Sequence, residues 1–133
     1  LRKKEKLTKE DFDTIKQHCE KGAKVVEGIR FLKDVKDIIL YHQERFDGKG
    51  YPHGLKGEAI PLLARIVSVA DSFDAMTTDR PYSNKIGFKE AVIEIENNSG
   101  TQFDPVVVFA FIKYRDSLEK IAGKHFSKLS VIT

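Results

Sequence analysis

The sequence predicts an all-α domain, and three observations carry that prediction. Apolar residues recur at helical spacing through most of its 133 residues. Capping signatures stand where the periodic stretches begin or end. No stretch shows the strict alternation of a half-buried strand.

The first helix is expected within "LTKEDFDTIKQHCEKGAKVVEGI", with Thr8 as N-cap and Asp11 completing a weak capping box. Phe12, Ile15, Cys19, Ala23 and Val26 share one face of it. Asp34 caps a second helix through "VKDIILYHQE", where Val35, Ile38, Ile39 and His42 lie on one side. His42 is therefore carried inward with the apolar side chains. A third helix starts at Pro61 and runs through "LLARIVSVADSFDAMTTD". Apolar residues nearly encircle it, which predicts burial on most sides. A fourth spans about 88–98 and stops at "NNSG". The fifth opens with Asp104 as N-cap and Pro105 at N1, and carries Val107, Val108, Phe111, Ile112 and Leu118. Residues 1–133 are read as one domain of about five helices, with 1–6 and 123–133 expected to be flexible.

A hydrophobic fraction of 41% and a charged fraction of 32% are those of an ordinary globular chain. The formal charge of +3 is too small for a nucleic-acid signature. No apolar run approaches the roughly 18 residues of a membrane span, and no secretory leader is visible. The single cysteine excludes an internal disulfide and fits a reducing, cytoplasmic setting. Its spacing from Phe12 and Ile15 marks Cys19 as a small core residue rather than a reactive thiol. The chain opens on Leu1 and its sole methionine is Met76, so a longer parent protein is expected.

Buried charge is costly unless it is paired, hydrogen-bonded or bound to metal. His18, His42 and Asp71 lie on three helices, each read as facing the interior. Imidazole with carboxylate suits iron, manganese or zinc. Taken alone, each histidine is more readily a satisfied helix residue. Asp74 reads first as a structural carboxylate that accepts hydrogen bonds from a helix end or a glycine loop.

Residues 46–59 hold four of the nine glycines and no expected structure of their own. Gly48, Gly50, Gly54 and Gly57 permit positive-φ turns close to a ligand, while Arg45, Lys49 and Lys56 add positive charge. A solvated connector would look similar, but a loop of this length argues for function. "TTDRPYS" offers Arg80, either as a phosphate-binding fork or as the partner of Asp79. His53 and His125 are read as exposed and non-catalytic.

"HQERFDGKGYPHGLKGEAIPLLARIVSVADSFDAMTTDRPY" resembles the C-terminal half of the HD-GYP family, bacterial metal-dependent phosphohydrolases of the HD superfamily. "LTKEDFDTIKQHCEKGA" and "SGTQFDPVVVFAF" extend the resemblance from about Leu7 to Phe111. It implies an HD-domain-like helical bundle that hydrolyses cyclic di-GMP to pGpG or GMP in second-messenger signalling. It also implies divalent metal ions, iron or manganese, whose bridging hydroxide attacks phosphorus. By position, His18, His42 and Asp71 match metal ligands. Arg80 matches a residue that approaches the substrate phosphate, with Lys49 as a second cation. Glu44, Asp47, Gly48, Gly50, Tyr51, Pro52, Arg65 and Asp74 fall on the motif, whose GYP tripeptide is implicated in protein contacts.

This sequence departs from the pattern in three places. The HD pair with its following lysine is absent and is expected upstream of Leu1. Gln43, a neutral and poorer ligand, stands where the family has a second histidine. Ser83 replaces a common lysine. Two readings follow: part of a cyclic di-GMP phosphodiesterase, inactive as these 133 residues alone, or a degenerate, non-catalytic module that binds nucleotide or a protein partner. The missing helices would leave apolar surface that a second copy, forming a homodimer, or the rest of the parent chain would cover.

Overall fold

The structure, a computed structural model, describes residues 8–27, 33–79 and 84–121. The expectations for Arg80, Ser83, His125 and the two chain ends lie outside the described residues.

Helix α1 (Lys9–Glu27) starts on the capping box foreseen in the sequence. The Thr8 amide donates to Asp11 Oδ2 at 2.9 Å, and the Asp11 amide donates to Thr8 Oγ1 at 3.1 Å. Its buried arc is Ile15, Cys19 and Ala23. Helix α2 (Lys33–Tyr41) packs on α1 so closely that a Cβ on Gly22 would meet Ile39 Cγ2 at 2.9 Å. The second helix was expected to include Glu44. It ends at Tyr41 instead, because Glu44 serves the loop that follows.

Helices α3 (Leu62–Thr77), α4 (Phe88–Asn97) and α5 (Pro105–Lys113) pack against one another, and α2 contacts α3. Their shared core is Val69, Ile95, Phe103 and Val108, bordered by Met76, Val107, Phe111 and Ile112. Phe73 meets Phe88 and Phe111 edge-to-face, with ring centres 5.1 and 5.2 Å apart. After α4 the chain reverses at Gly100, whose φ of 83° favours glycine and whose amide donates to Phe103 O at 2.8 Å. Asp104 then caps α5, its Oδ1 accepting from the Val106 amide at 2.8 Å. A further helical run covers 115–121.

One expectation fails here. Helix α3 is not buried on most sides: Leu62, Leu63 and Ile66 are exposed, and its buried residues are Ala64, Ser68 and Val69. Its described neighbours cover only one arc of it. Among the described residues no helix is long and apolar enough to cross a membrane.

Ile95 is 0% exposed at the centre of this core. Ile95→Ala is expected to lower unfolding free energy by about 2–5 kcal/mol in urea titrations at unchanged m-value. An unchanged midpoint would show that the α3–α4–α5 packing is not as described.

Candidate functional site: the glycine loop and its histidine

The site grows from one buried carboxylate. Glu44 is 2% exposed and accepts the backbone amides of His53, at 2.6 Å, and Leu55, at 3.0 Å. It thereby closes the 44–55 segment on itself and satisfies its own buried charge. A second set of bonds fixes that closed loop to the turn before α5. Phe46 N donates to Gln102 O at 3.1 Å, and Asp47 N to Thr101 O at 2.8 Å. Gly57 N donates to Phe46 O at 2.9 Å, within a single 3-10 turn over Gly57–Ala59. Arg65 completes the frame, donating from Nε to Ile60 O at 2.8 Å and pairing with the Asp104 carboxylate. The stretch read as lacking structure of its own is a pinned loop.

Three of its glycines behave as the sequence suggests, with φ of 82° at Gly48, 68° at Gly54 and 60° at Gly57. Gly50 differs. Its φ is not positive, yet an added Cβ would strike the Arg45 amide nitrogen and lie 2.7 Å from both Gln43 O and Glu44 C. Glycine is needed there because backbone crosses backbone, and the crossing is tied by Tyr51 N donating to Gln43 O at 3.3 Å.

Arg45 does not add free positive charge to the loop. Its Nε and Nη2 donate to the two carboxylate oxygens of Asp47 at 3.2 and 3.0 Å. The Lys49 amide donates to Asp47 Oδ1 at 3.0 Å. The Arg45 hydrogen bond, reinforced by that amide and by the Arg45 and Lys49 charges, holds the Asp47 carboxyl below the usual carboxylate value. Lys49 itself is exposed at the loop tip.

His42 follows α2 and is half-buried. Its Nδ1 lies 3.0 Å from Ile38 O and 3.1 Å from Ile39 O, and its Nε2 lies 3.1 Å from Gln43 Nε2. Tyr51 OH donates to Gln43 Oε1 at 3.4 Å. Burial pushes the Tyr51 phenol above its ordinary pKa, so it keeps its proton. Loop and helix α1 meet through Phe12 and Tyr51, whose rings stand edge-to-face at 6.2 Å. Burial, with Glu44 and Glu20 adding repulsion, likewise raises the Cys19 thiol, in keeping with a core residue.

His18 and Asp71 were read as facing the interior, and the structure places both at the surface. At 100° per residue, His18 is rotated one step from buried Cys19, and Asp71 two steps from buried Val69. Asp74 is also exposed, and its carboxylate accepts from Thr78 Oγ1 at 3.2 Å, in its own helix end. His53 is exposed as expected, 4.0 Å from Glu20. Among the described residues no group of three or more His, Cys, Asp or Glu side chains could hold a metal ion. The Nδ1 side of the His42 ring faces two backbone carbonyls of α2. The described residues do not by themselves fit a metal centre.

Sequence reasoning found Glu44 and Arg65 only as motif positions and missed what they bond. It read Asp104 as a helix cap, which it is, without its second role toward Arg65 39 positions away.

The family described as "HD domain" matches residues 1–107. A cyclic di-GMP phosphodiesterase of Thermotoga maritima is 44% identical over 117 residues, covering 86% of this chain and 32% of that protein. The cyclic di-GMP phosphodiesterase response regulator RpfG of Xanthomonas campestris is 43% identical over 126 residues, covering 93% of this chain and 33% of its own length. A crystal structure of a cyclic GMP-AMP-specific phosphodiesterase of Vibrio cholerae superposes with a TM-score of 0.65 at 32% identity, over 86% of this chain and 26% of that one. The chain thus spans about a third of the curated relatives it matches.

Gly50→Ala is expected to lose more stability than Gly57→Ala in urea titrations, because its neighbours are backbone atoms. The first should cost about 1–3 kcal/mol or more from overpacking, and the second about 1–2 kcal/mol from its φ alone. Equal losses would contradict the backbone crossing.

The Asp47 shift sets a pH dependence. Its folded pKa is depressed, so its stabilisation is complete above the ordinary carboxylate value, near 4, and fades as pH falls through the lower folded value. Asp47→Asn should therefore be destabilised against the unmodified protein at pH 6, with the gap narrowing at pH 3. A constant gap would reject the assignment.

Proposed function

The chain belongs to the HD-domain family, in its HD-GYP type, and on that premise we propose that it forms part of a phosphodiesterase hydrolysing cyclic di-GMP in the cytoplasm. The observation that carries the reading is the pinned loop, in which the motif residues Glu44, Asp47 and Gly50 each have a defined structural task. The motif is maintained as architecture. Greater identity to relatives named for cyclic di-GMP than to the structure named for cyclic GMP-AMP favours cyclic di-GMP as substrate.

Hydrolysis opens one phosphodiester of the macrocycle. A water oxygen bonds to phosphorus, the bond from phosphorus to the ribose 3′ oxygen breaks, and that oxygen leaves as a hydroxyl after taking a proton. The product is linear pGpG, and a second round gives GMP. Within this chain, Lys49 offers an ammonium to phosphate oxygens from a backbone that does not have to be ordered on binding. Arg80 would be a second cation. Family chemistry calls for divalent metal, and His18, His42 and Asp71 are this chain's proposed ligand positions. No HD dipeptide occurs in the sequence to complete the set.

A second reading, the non-catalytic module that binds nucleotide or a protein through the GYP loop, is favoured by Gln43 and its contact with His42. The two separate in one experiment. Full-length protein with cyclic di-GMP and added Mn²⁺ or Fe²⁺ is expected to release pGpG, followed by chromatography. Bound but uncleaved dinucleotide would reject the hydrolase and establish the binding module.

A further inference from the structure

Among the described residues the hydroxyl of Ser68, in α3, has no hydrogen-bond partner, although the residue is only 9% exposed. Thr14 and Thr77 show the usual solution for a helical hydroxyl. Each donates to the carbonyl four positions earlier, at 2.9 Å. Ser68 makes no such bond, and a buried polar group left unpaired is strongly disfavoured.

Ser68 lines a cavity of about 10 Å³, counted as space for the centre of a water molecule, between α3, the glycine loop and the turn before α5. That is room for one water and for nothing larger. Its other polar walls are Glu44, Arg65, Gln102 and Asp104. Arg65 donates from Nε to Ile60 O and from Nη1 to Asp104, while among the described residues its Nη2 donates to nothing. These walls select the occupant by charge. A cation would face the guanidinium, and an anion would face two buried carboxylates. An apolar occupant would leave Ser68 unpaired. A neutral group that both donates and accepts suits every wall.

We infer that one water molecule binds in this cavity as a fixed part of the fold, accepting from Arg65 Nη2, hydrogen-bonded to Ser68 Oγ and donating to the Glu44 carboxylate. It joins the carboxylate that closes the glycine loop to the helix behind it. Helix α3 thereby gains a second hold on the loop, beside the bond from Arg65 to Ile60 O. The site is independent of the phosphodiesterase reading, because it is filled whether or not the protein hydrolyses a dinucleotide.

Two measurements on full-length protein test this. A crystal structure at a resolution that shows water is expected to hold one ordered molecule within hydrogen-bond distance of Ser68 Oγ and a Glu44 oxygen. A dry cavity, or Ser68 donating to the Ala64 carbonyl, overturns the inference. The second measurement reads the sign of a substitution. In a dry cavity Ser68→Ala would improve helix propensity and remove an unpaired hydroxyl, so stability would rise or stay equal. With the water in place the same change removes one of its partners. The unfolding equilibrium constant from urea titration is then expected to increase about three- to tenfold, the equivalent of one hydrogen bond. The His53 and Leu55 amides, which donate to Glu44, should also exchange faster with deuterium. Equal or greater stability, or unchanged exchange at both amides, overturns the inference. Neither readout uses turnover, so absent hydrolysis removes the phosphodiesterase reading and leaves this one standing.

Discussion

Everything around the candidate site depends on the buried carboxylate of Glu44. A charge at 2% exposure is tolerable only when its lone pairs are filled, and the amides of His53 and Leu55 fill them. Those amides lie nine and eleven positions further along the chain. Satisfying the carboxylate therefore forces the intervening residues into a closed loop. The loop in turn requires Gly50 where the backbone crosses itself, and it sets Tyr51 against Gln43 and Phe12. One electrostatic requirement thus determines where the GYP tripeptide stands.

The helical scaffold positions that loop from two sides. On one side α1 and α2 pack closely enough to exclude a side chain at Gly22, and they deliver His42 and Glu44 at the end of α2. On the other, the core of Val69, Ile95, Phe103 and Val108 fixes the turn before α5, whose carbonyls hold Phe46 and Asp47. Asp104 joins these roles, capping α5 with one oxygen and receiving Arg65 with the other. Loop and core are mechanically continuous, so a fault in either disturbs the site.

Charge in the loop is distributed unevenly for a physical reason. Arg45 and Asp47 satisfy each other at the base, and the Asp47 pKa is lowered as a consequence. Lys49 remains at the exposed tip, where an anionic ligand can reach it. At the inner end His42 presents a nitrogen whose ring is oriented by the α2 carbonyls, facing an amide rather than an imidazole. The exposed cation and the oriented imidazole thus stand at opposite ends of one pinned segment.

Local chemistry was legible in the sequence. Thr8 with Asp11, Asp104 with Pro105, and the glycine at position 100 mark helix boundaries through bonds spanning a few residues, and the structure places them accordingly. The HD-GYP motif fixed the family for a related reason, since its residues lie close together along the chain. Directions were less legible. His18 and Asp71 sit on helices that carry apolar residues in several registers, and only packing against α2, α4 and α5 selects which arc is buried. By itself the sequence determined the approximate course of the helices, the caps at Thr8 and Asp104, and the family. Asp34, read as a cap, lies inside the first turn of α2. Tertiary structure alone decided that the glycine loop is pinned and that Gly50 is required by contact rather than by φ. Each of these depends on groups brought together by packing, and no local pattern encodes such a distance.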